Sequence, residues 1–439
     1  MESINKFFSE NSSLKDIFSK FSSSLIVRVV GLIVSFLVSM FLGRLLGPSD
    51  FGVMNLAIQI TSFILVISMW GLPQVLIKEV AIGFGSRDKE HIRNMLGTAY
   101  IINGVIGIVC TIILILCSSF IATKVFDSFA LTFPLIIFSA FLIPQIITRI
   151  LSSSLIGFDK IWQSNVLDQT SSGIIWGIFL IVYWLSNFPF NLVGIALLFG
   201  LSRLVVMVFG IVYWKNIYGS YNFFRPTTFK GKEMLKTGGS LLIVNASLLI
   251  STSADTIMLG WLSTTKEVGY YSVAAKLALL TSFLLQITIS VLGPKIAVLY
   301  NDKKTPELEK LLQSVSKALF ILGFLSLIIL VIFGKTVLGF WGEDFTPAYS
   351  VLVILAIGQF FNIASGPVGN LLVMTSHEKI LRNITATTVL LNLLLNFYFI
   401  TRYGATGAAY ATSITTILNM ILCYYFVRIR IGLKLYKWF

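Results

Sequence analysis

Segments of about twenty apolar residues recur along most of this chain, separated by short polar connections. A helix needs about 20 such residues to cross a hydrocarbon layer of about 30 Å. Only helices and closed barrels can cross it with every backbone group paired. Segments that pass this test run near 22–43, 51–70, 95–118, 128–150, 165–185, 190–214, 238–262, 268–291, 314–334, 348–374, 383–401 and 404–427. The expectation is an all-α membrane protein with twelve transmembrane helices. Composition agrees, because 12% of the 439 residues are charged, against about 25% in soluble domains.

The spans repeat as a block. Leu42-Gly43-Arg44-Leu45, Asp50-Phe51-Gly52 and Ala57 return 217 positions later, without a gap, as Leu259-Gly260-Trp261-Leu262, Glu267-Val268-Gly269 and Ala274. The second span of each half runs to a proline, Pro73 or Pro294, and then into a charged connector, 74–94 or 295–313. Gly194-Ile195-Ala196 and Gly407-Ala408-Ala409 correspond at an offset of 213. Matches in one order point to duplication. Each copy has an even number of spans, so both enter the membrane in the same direction, giving two six-helix lobes about an axis along the bilayer normal. The expected domains are an N-terminal lobe over 1–214, a cytoplasmic loop over 215–237 and a C-terminal lobe with a tail over 238–439. The loop reads as a linker that permits lobe motion, with an anionic-lipid or partner site as the alternative.

The net charge of +14 would suit nucleic acid, so its distribution decides. Of 33 Lys and Arg, five (Arg44, Lys124, Lys266, Lys335, Arg402) fall on one side and three (Arg28, Arg203, Lys276) inside spans, which leaves 25 for the other side. That bias places both termini in the cytoplasm, and it explains the charge without a nucleic-acid partner. Cys110, Cys117 and Cys423 lie in apolar spans and read as small hydrophobes, with no disulfide or metal site expected. His91 and His377 read as solvated loop residues. No cleavable signal peptide is recognised. Phe7, Leu14, Phe18 and Phe21 with Lys6, Lys15 and Lys20 suit an amphipathic helix on the inner leaflet, a disordered tail being the alternative.

Ionisable groups inside spans are unfavourable by roughly 2.5–3.5 kcal/mol each, so each needs a reason. Arg28 lies about 9 Å along the first span, and Arg203 near the middle of the sixth. Asp255 and Lys276 flank a hairpin turn at matching depth, about 10–12 Å below the outer surface, which predicts an ion pair. Their bland reading is mutual neutralisation, and for Arg28 it is snorkelling. Asp168 reads as an interfacial carboxylate, and Glu343-Asp344 as a solvated pair. Pro144-Gln145 and Gly366-Pro367 predict breaks in corresponding spans, either lining a cavity or serving lobe packing. Gln359, Asn362 and Asn370 flank the second break, and Asn245 stands at the repeat position of Arg28. The candidate cavity residues are therefore Arg28, Arg203, Asp255, Lys276, Asn245, Gln359, Asn362 and Asn370. Three cations around one acid favour an anion bearing phosphate or pyrophosphate, which Arg binds bidentately. A cation exporter would show the reverse balance. No catalytic carboxylate pair, Gly-rich phosphate loop or large furnished loop points to an enzyme.

These features resemble the polysaccharide-biosynthesis flippases of the multidrug/oligosaccharidyl-lipid/polysaccharide exporter superfamily. The resemblance rests on Gly43-Arg44-Leu45-Leu46-Gly47-Pro48 with Phe51-Gly52, and on Gly71-Leu72-Pro73 with Lys78-Glu79-Val80-Ala81. It continues through Ala254-Asp255-Thr256-Ile257-Met258-Leu259-Gly260, Val268-Gly269-Tyr270-Tyr271 and Ala274-Ala275-Lys276-Leu277 to Tyr403-Gly404-Ala405-Thr406-Gly407-Ala408-Ala409. It implies a V-shaped, MATE-like bundle in the bacterial inner membrane. By alternating access such a bundle carries an undecaprenyl-pyrophosphate-linked O-antigen or capsule unit, as Wzx-type flippases do in lipopolysaccharide biosynthesis. The implied partners are the lipid-linked oligosaccharide, membrane lipids, and a polysaccharide polymerase with its chain-length machinery. No cofactor is implied, and H+ or Na+ coupling stays open. An ion-coupled multidrug exporter of the same fold is the alternative.

Overall fold

The computed structural model describes residues 12–186, 189–218, 226–433 and 435. Among them the chain is helical, with no strand. The helices are α1 (Ser12–Met69), α2 (Leu72–Gly85), α3 (Lys89–Phe120), α4 (Thr132–Ala140), α5 (Leu142–Gly157), α6 (Ile161–Asn165), α7 (Ser171–Leu185) and α8 (Leu192–Tyr218). After the joining loop come α9 (Gly231–Leu262), α10 (Thr265–Asn301), α11 (Thr305–Leu338), α12 (Tyr349–Ala364), α13 (Val368–Met374) and α14 (Glu378–Phe426). Among the described residues nine helices are long and apolar enough to cross a membrane, or ten when the pair α4 and α5, bent by 45°, counts as one. Two runs, of 44 and 54 residues, are about twice a bilayer's requirement at 1.5 Å per residue. Each is broken at a left-handed glycine, Gly47 (φ 66°) or Gly404 (φ 54°). Large apolar side chains such as Leu116, Ile243 and Leu394 are exposed, as suits a multi-pass protein whose surface meets lipid.

Local sequence explains the ends. Asp88 caps α3 by accepting the His91 amide at 2.9 Å, and Thr264 caps α10 by accepting that of Glu267 at 3.3 Å. Pro73 opens α2 just after the left-handed Gly71, where no amide donor is needed. Its expected counterpart differs: Pro294 lies inside α10, and the helix continues through it. The predicted breaks occur at Phe141, three residues before Pro144, and at Gly366 (φ 72°) beside Pro367. The amphipathic reading of the N-terminus involves Lys6 and Phe7, which lie outside the described residues.

The chain divides into two compact units. Unit 1 comprises residues up to Leu45 and Ala57–Ile250; unit 2 comprises Leu46–Leu56 and Ser251–Phe439. The division falls inside α9 rather than in the loop 215–237. The described end of that loop is bound within unit 1: the Thr227 amide donates to Asn94 Oδ1 at 2.8 Å, and the Lys230 amide to Thr98 Oγ1 at 3.3 Å. Arg225 lies outside the described residues. Unit 1 is built on Leu72, Leu76, Val80, Leu96, Ile146 and Leu155, where α2 packs against α3 and α5. In unit 2, α12 packs against α10, α11 and α14, and Phe51 meets Phe345 edge-on at 5.6 Å.

The duplicated turn meets its own copy inside unit 2. A Cβ on Gly52 would strike the Thr265 carbonyl, and one on Gly269 would strike that of Pro48. Pro48 and Thr265 are themselves one repeat apart. Both glycines are required because backbone packs on backbone there. Leu42 and Leu259, Phe51 and Val268, and Ala57 and Ala274 are buried in both copies.

Candidate functional site

Unit 1 holds a cavity of about 230 Å³ whose polar lining includes Ser62, Gln145, Thr148, Arg149, Asp168 and Arg203. α5 turns Thr148 and Arg149 toward it one turn after Pro144, and Thr148 Oγ1 donates to the Pro144 carbonyl at 2.9 Å. Asp168 rides on a single π-helical turn, Val166–Thr170, between α6 and α7. Asn165 Nδ2 donates to Ser24 Oγ at 2.6 Å and Thr170 Oγ1 to the Val27 carbonyl at 3.3 Å, which ties both ends of that turn to α1. Such turns concentrate at functional sites. Arg149 Nη1 donates to Asp168 Oδ2 in an ion pair, with the Arg side chain 43% and the Asp 18% exposed. The Arg203 guanidinium lies 4.9 Å over the Phe199 ring, and its Nε is buried without a hydrogen-bond partner among the described residues. Two guanidiniums and one carboxylate leave the lining with a formal charge of +1.

Asp255 in unit 2 is arranged differently. It accepts from Tyr271 OH at 2.5 Å, Asn396 Nδ2 at 2.6 Å and Thr412 Oγ1 at 2.7 Å. The expected ion pair with Lys276 is not among its contacts. The Lys276 ammonium instead lies 5.6 Å over the Phe51 ring. Matching depth on a hairpin does not fix rotation about each helix, and α14 supplies neutral donors that satisfy the carboxylate first. Asn396 also donates to Asn392 at 3.0 Å, while its own Oδ1 is buried without a partner. One carboxylate among neutral oxygens suits a proton or an alkali cation rather than a transition metal. Among the described residues no group of three His, Cys, Asp or Glu could hold a metal ion.

The remaining candidates fall into separate places. Ser282 Oγ and Asn362 Nδ2 both donate to Gln359 Oε1, the latter at 3.0 Å. Asn370, on α13, has a buried Oδ1 without a hydrogen-bond partner among the described residues. Asn245 belongs to unit 1, where it exchanges amide hydrogen bonds with Gln74 at 2.9 and 3.3 Å. Arg28 is exposed on α1. His91 is not a loop residue: it sits in the first turn of α3, half-buried, with Nε2 3.1 Å from Glu79 Oε2.

Arg149 does not stand out in the sequence, where it lies at the end of the span 128–150 and counts among the cytoplasmic cations, and Asp168 stands out only as an interfacial carboxylate and a weak candidate for a cation exporter's acid. Yet both stand nine or ten residues from the turn at Asp159, the same equal-depth signal that was applied to Asp255 and Lys276. The signal was present, but it favoured the wrong hairpin.

A family profile described as Polysaccharide biosynthesis protein matches residues 14–299. The chain is 25% identical over 391 residues to a putative O-antigen transporter of Shigella flexneri, covering 85% of this chain and 88% of that one. It is 25% identical over 161 residues to the probable low-salt glycan biosynthesis flippase Agl15 of Haloferax volcanii. That match covers 36% of this chain and spans only 34% of the archaeal protein. Among solved structures it is similar to the lipid II flippase MurJ in an inward closed conformation, with a TM-score of 0.74, 17% identity and coverage of 94% and 87%. An inward-facing multidrug resistance MATE transporter gives 0.73, 15%, 93% and 98%. At these identities the structural likeness speaks for the fold, which is of the MATE and MurJ type.

Proposed function

The chain belongs to the polysaccharide biosynthesis protein family, and from that membership we propose that it is a flippase, not an enzyme. Its substrate on this reading is an undecaprenyl-pyrophosphate-linked oligosaccharide, an O-antigen or capsule unit, moved from the inner to the outer leaflet by alternating access. Nine or ten helices among the described residues pass the test for a span; counting each long run as two crossings divided at Gly47 and Gly404 supports the reading of twelve crossings in two six-helix lobes. On this reading the protein lies in a bacterial inner membrane, and the Lys and Arg bias supports cytoplasmic termini.

The observation that carries the reading is the cationic cavity with an incompletely bonded Arg203. Its volume of about 230 Å³ lies below the range of about 300–1,000 Å³ for pockets that enclose a drug-sized ligand. It suits a diphosphate headgroup whose glycan remains outside. Arg203 binds the phosphate at short range, and Arg28 in the same unit adds attraction at longer range. In unit 1 the Asn245–Gln74 pair offers amides to the glycan, and in unit 2 Asp255 takes the proton or Na+ that drives the cycle.

Deleting the gene in its host should abolish surface polymer and leave lipid-linked units on the inner leaflet, with recovery on complementation. Polymer export that persists after deletion, with no second copy present, overturns the reading. The alternative, an ion-coupled multidrug exporter, has Asp168 in the cavity in its favour. Arg149 neutralises that carboxylate, which is the reason to rank it second. Raised drug sensitivity of the deletion strain with unchanged polymer would reverse the ranking.

A further inference from the structure

We propose that Asp168 is a built-in competitor for the substrate's phosphate, holding Arg149 in the unloaded site until a diphosphate bound at Arg203 takes it over. The inference rests on the reading of this cavity as an anion site.

Three observations converge on it. Arg149 lines the cavity and is 43% exposed, so an entering anion can reach its guanidinium while Asp168 holds one edge of it. Arg203 lines the same cavity with its guanidinium over the Phe199 ring, so a second cation faces an entering anion. The turn that bears Asp168 is tied to α1 on both sides, through Asn165 and Thr170. The backbone is therefore held, and an exchange requires only that the Asp168 side chain rotate.

The exchange also sets specificity. Removing Arg149 from Asp168 breaks a charge-assisted bond, and one anionic group merely replaces it. A singly charged anion therefore gains little. A diphosphate carries anionic oxygens on two phosphorus atoms and can meet Arg149 and Arg203 together, which offsets the broken bond with two new ones. Asp168 thus makes the site selective for a multiply charged headgroup, at the expense of affinity.

The test is equilibrium binding of inorganic pyrophosphate and of nitrate to the full chain, purified in detergent, for the wild type and Asp168→Asn, Arg149→Gln and the double variant. Asp168→Asn keeps a carbonyl for Arg149 but removes the competing charge. It should bind pyrophosphate about tenfold more tightly, and nitrate should now compete where it does not in the wild type. Arg149→Gln should weaken pyrophosphate at least tenfold, with the double variant in between. If Asp168→Asn weakens pyrophosphate as much as Arg149→Gln does, the pair is only a brace between α5 and the π turn, and the proposal is overturned. Asp168→Ser, which cannot brace at that length, must tighten binding as well. If no variant and no wild-type protein binds pyrophosphate while the gene still restores polymer export, this proposal falls and the flippase reading stands. Tightening by Asp168→Asn together with normal export from the deletion strain would have the opposite meaning.

Discussion

Units 1 and 2 each bury charge, and they handle it in opposite ways. In unit 2 the Asp255 carboxylate is saturated by Tyr271, Asn396 and Thr412. In unit 1 Arg203 lines a cavity while its buried Nε has no hydrogen-bond partner among the described residues, and Arg149 beside that cavity is held by a carboxylate that shares the same space. A saturated charge inside a membrane protein is already stable, whereas an unsaturated one is maintained at a cost. On the proposed reading, this contrast leaves external binding to unit 1 and the response to a proton or small ion to unit 2.

The largest expected effect comes from breaking the open side. Arg203→Ala combined with Arg149→Ala should lower polymer export by more than tenfold while protein abundance in the membrane is kept, as judged by surface polymer staining and immunoblot. Retained export would erase the distinction between the units. Asp255→Ala comes next: it leaves the buried Tyr271 and Asn396 and the half-buried Thr412 without their acceptor, a loss of about 3 kcal/mol, seen as a Tm lowered by several degrees in detergent. Asp255→Asn should lose less stability but abolish any pH or Na+ dependence of transport in vesicles. Should Asp255→Ala melt like the wild type, the network is not saturated in the sense argued. Tyr271→Phe removes one of the three donors and should lower stability by about 1 kcal/mol. Smallest is Lys276→Gln, which loses a contact with the Phe51 ring worth about 1 kcal/mol or less and should reduce export only modestly. An export defect as severe as that of the Arg203/Arg149 double variant would show that unit 2 also carries a charge essential to export.

The duplicated turn separates what could be read in advance from what could not. Gly52 and Gly269 stand out in the sequence as one motif written twice, and that alone pointed to two related halves. That the two copies pack backbone to backbone, each glycine against the other's turn, needed the folded chain. Pro73 and Pro294 show the limit of such matching: the first opens a helix and the second is carried inside one. Sequence position was equivalent, but only one has a preceding left-handed glycine to end the earlier helix.

The sequence by itself determined that this chain is helical, that it lives in a membrane, that it is duplicated, and which few charges needed explanation. These are consequences of segment length and of the free energy of burying backbone and charge, which are local and additive along a helix. Only the tertiary structure decided which charges meet. Depth along a span follows from counting residues, so Asp255 with Lys276 and Arg149 with Asp168 were equally eligible pairs. The direction in which each side chain points depends on how its helix is rotated against its neighbours, and that rotation is set by packing across the unit. α14 turned Asn396 and Thr412 onto Asp255, and the π turn brought Asp168 onto Arg149 beside Arg203.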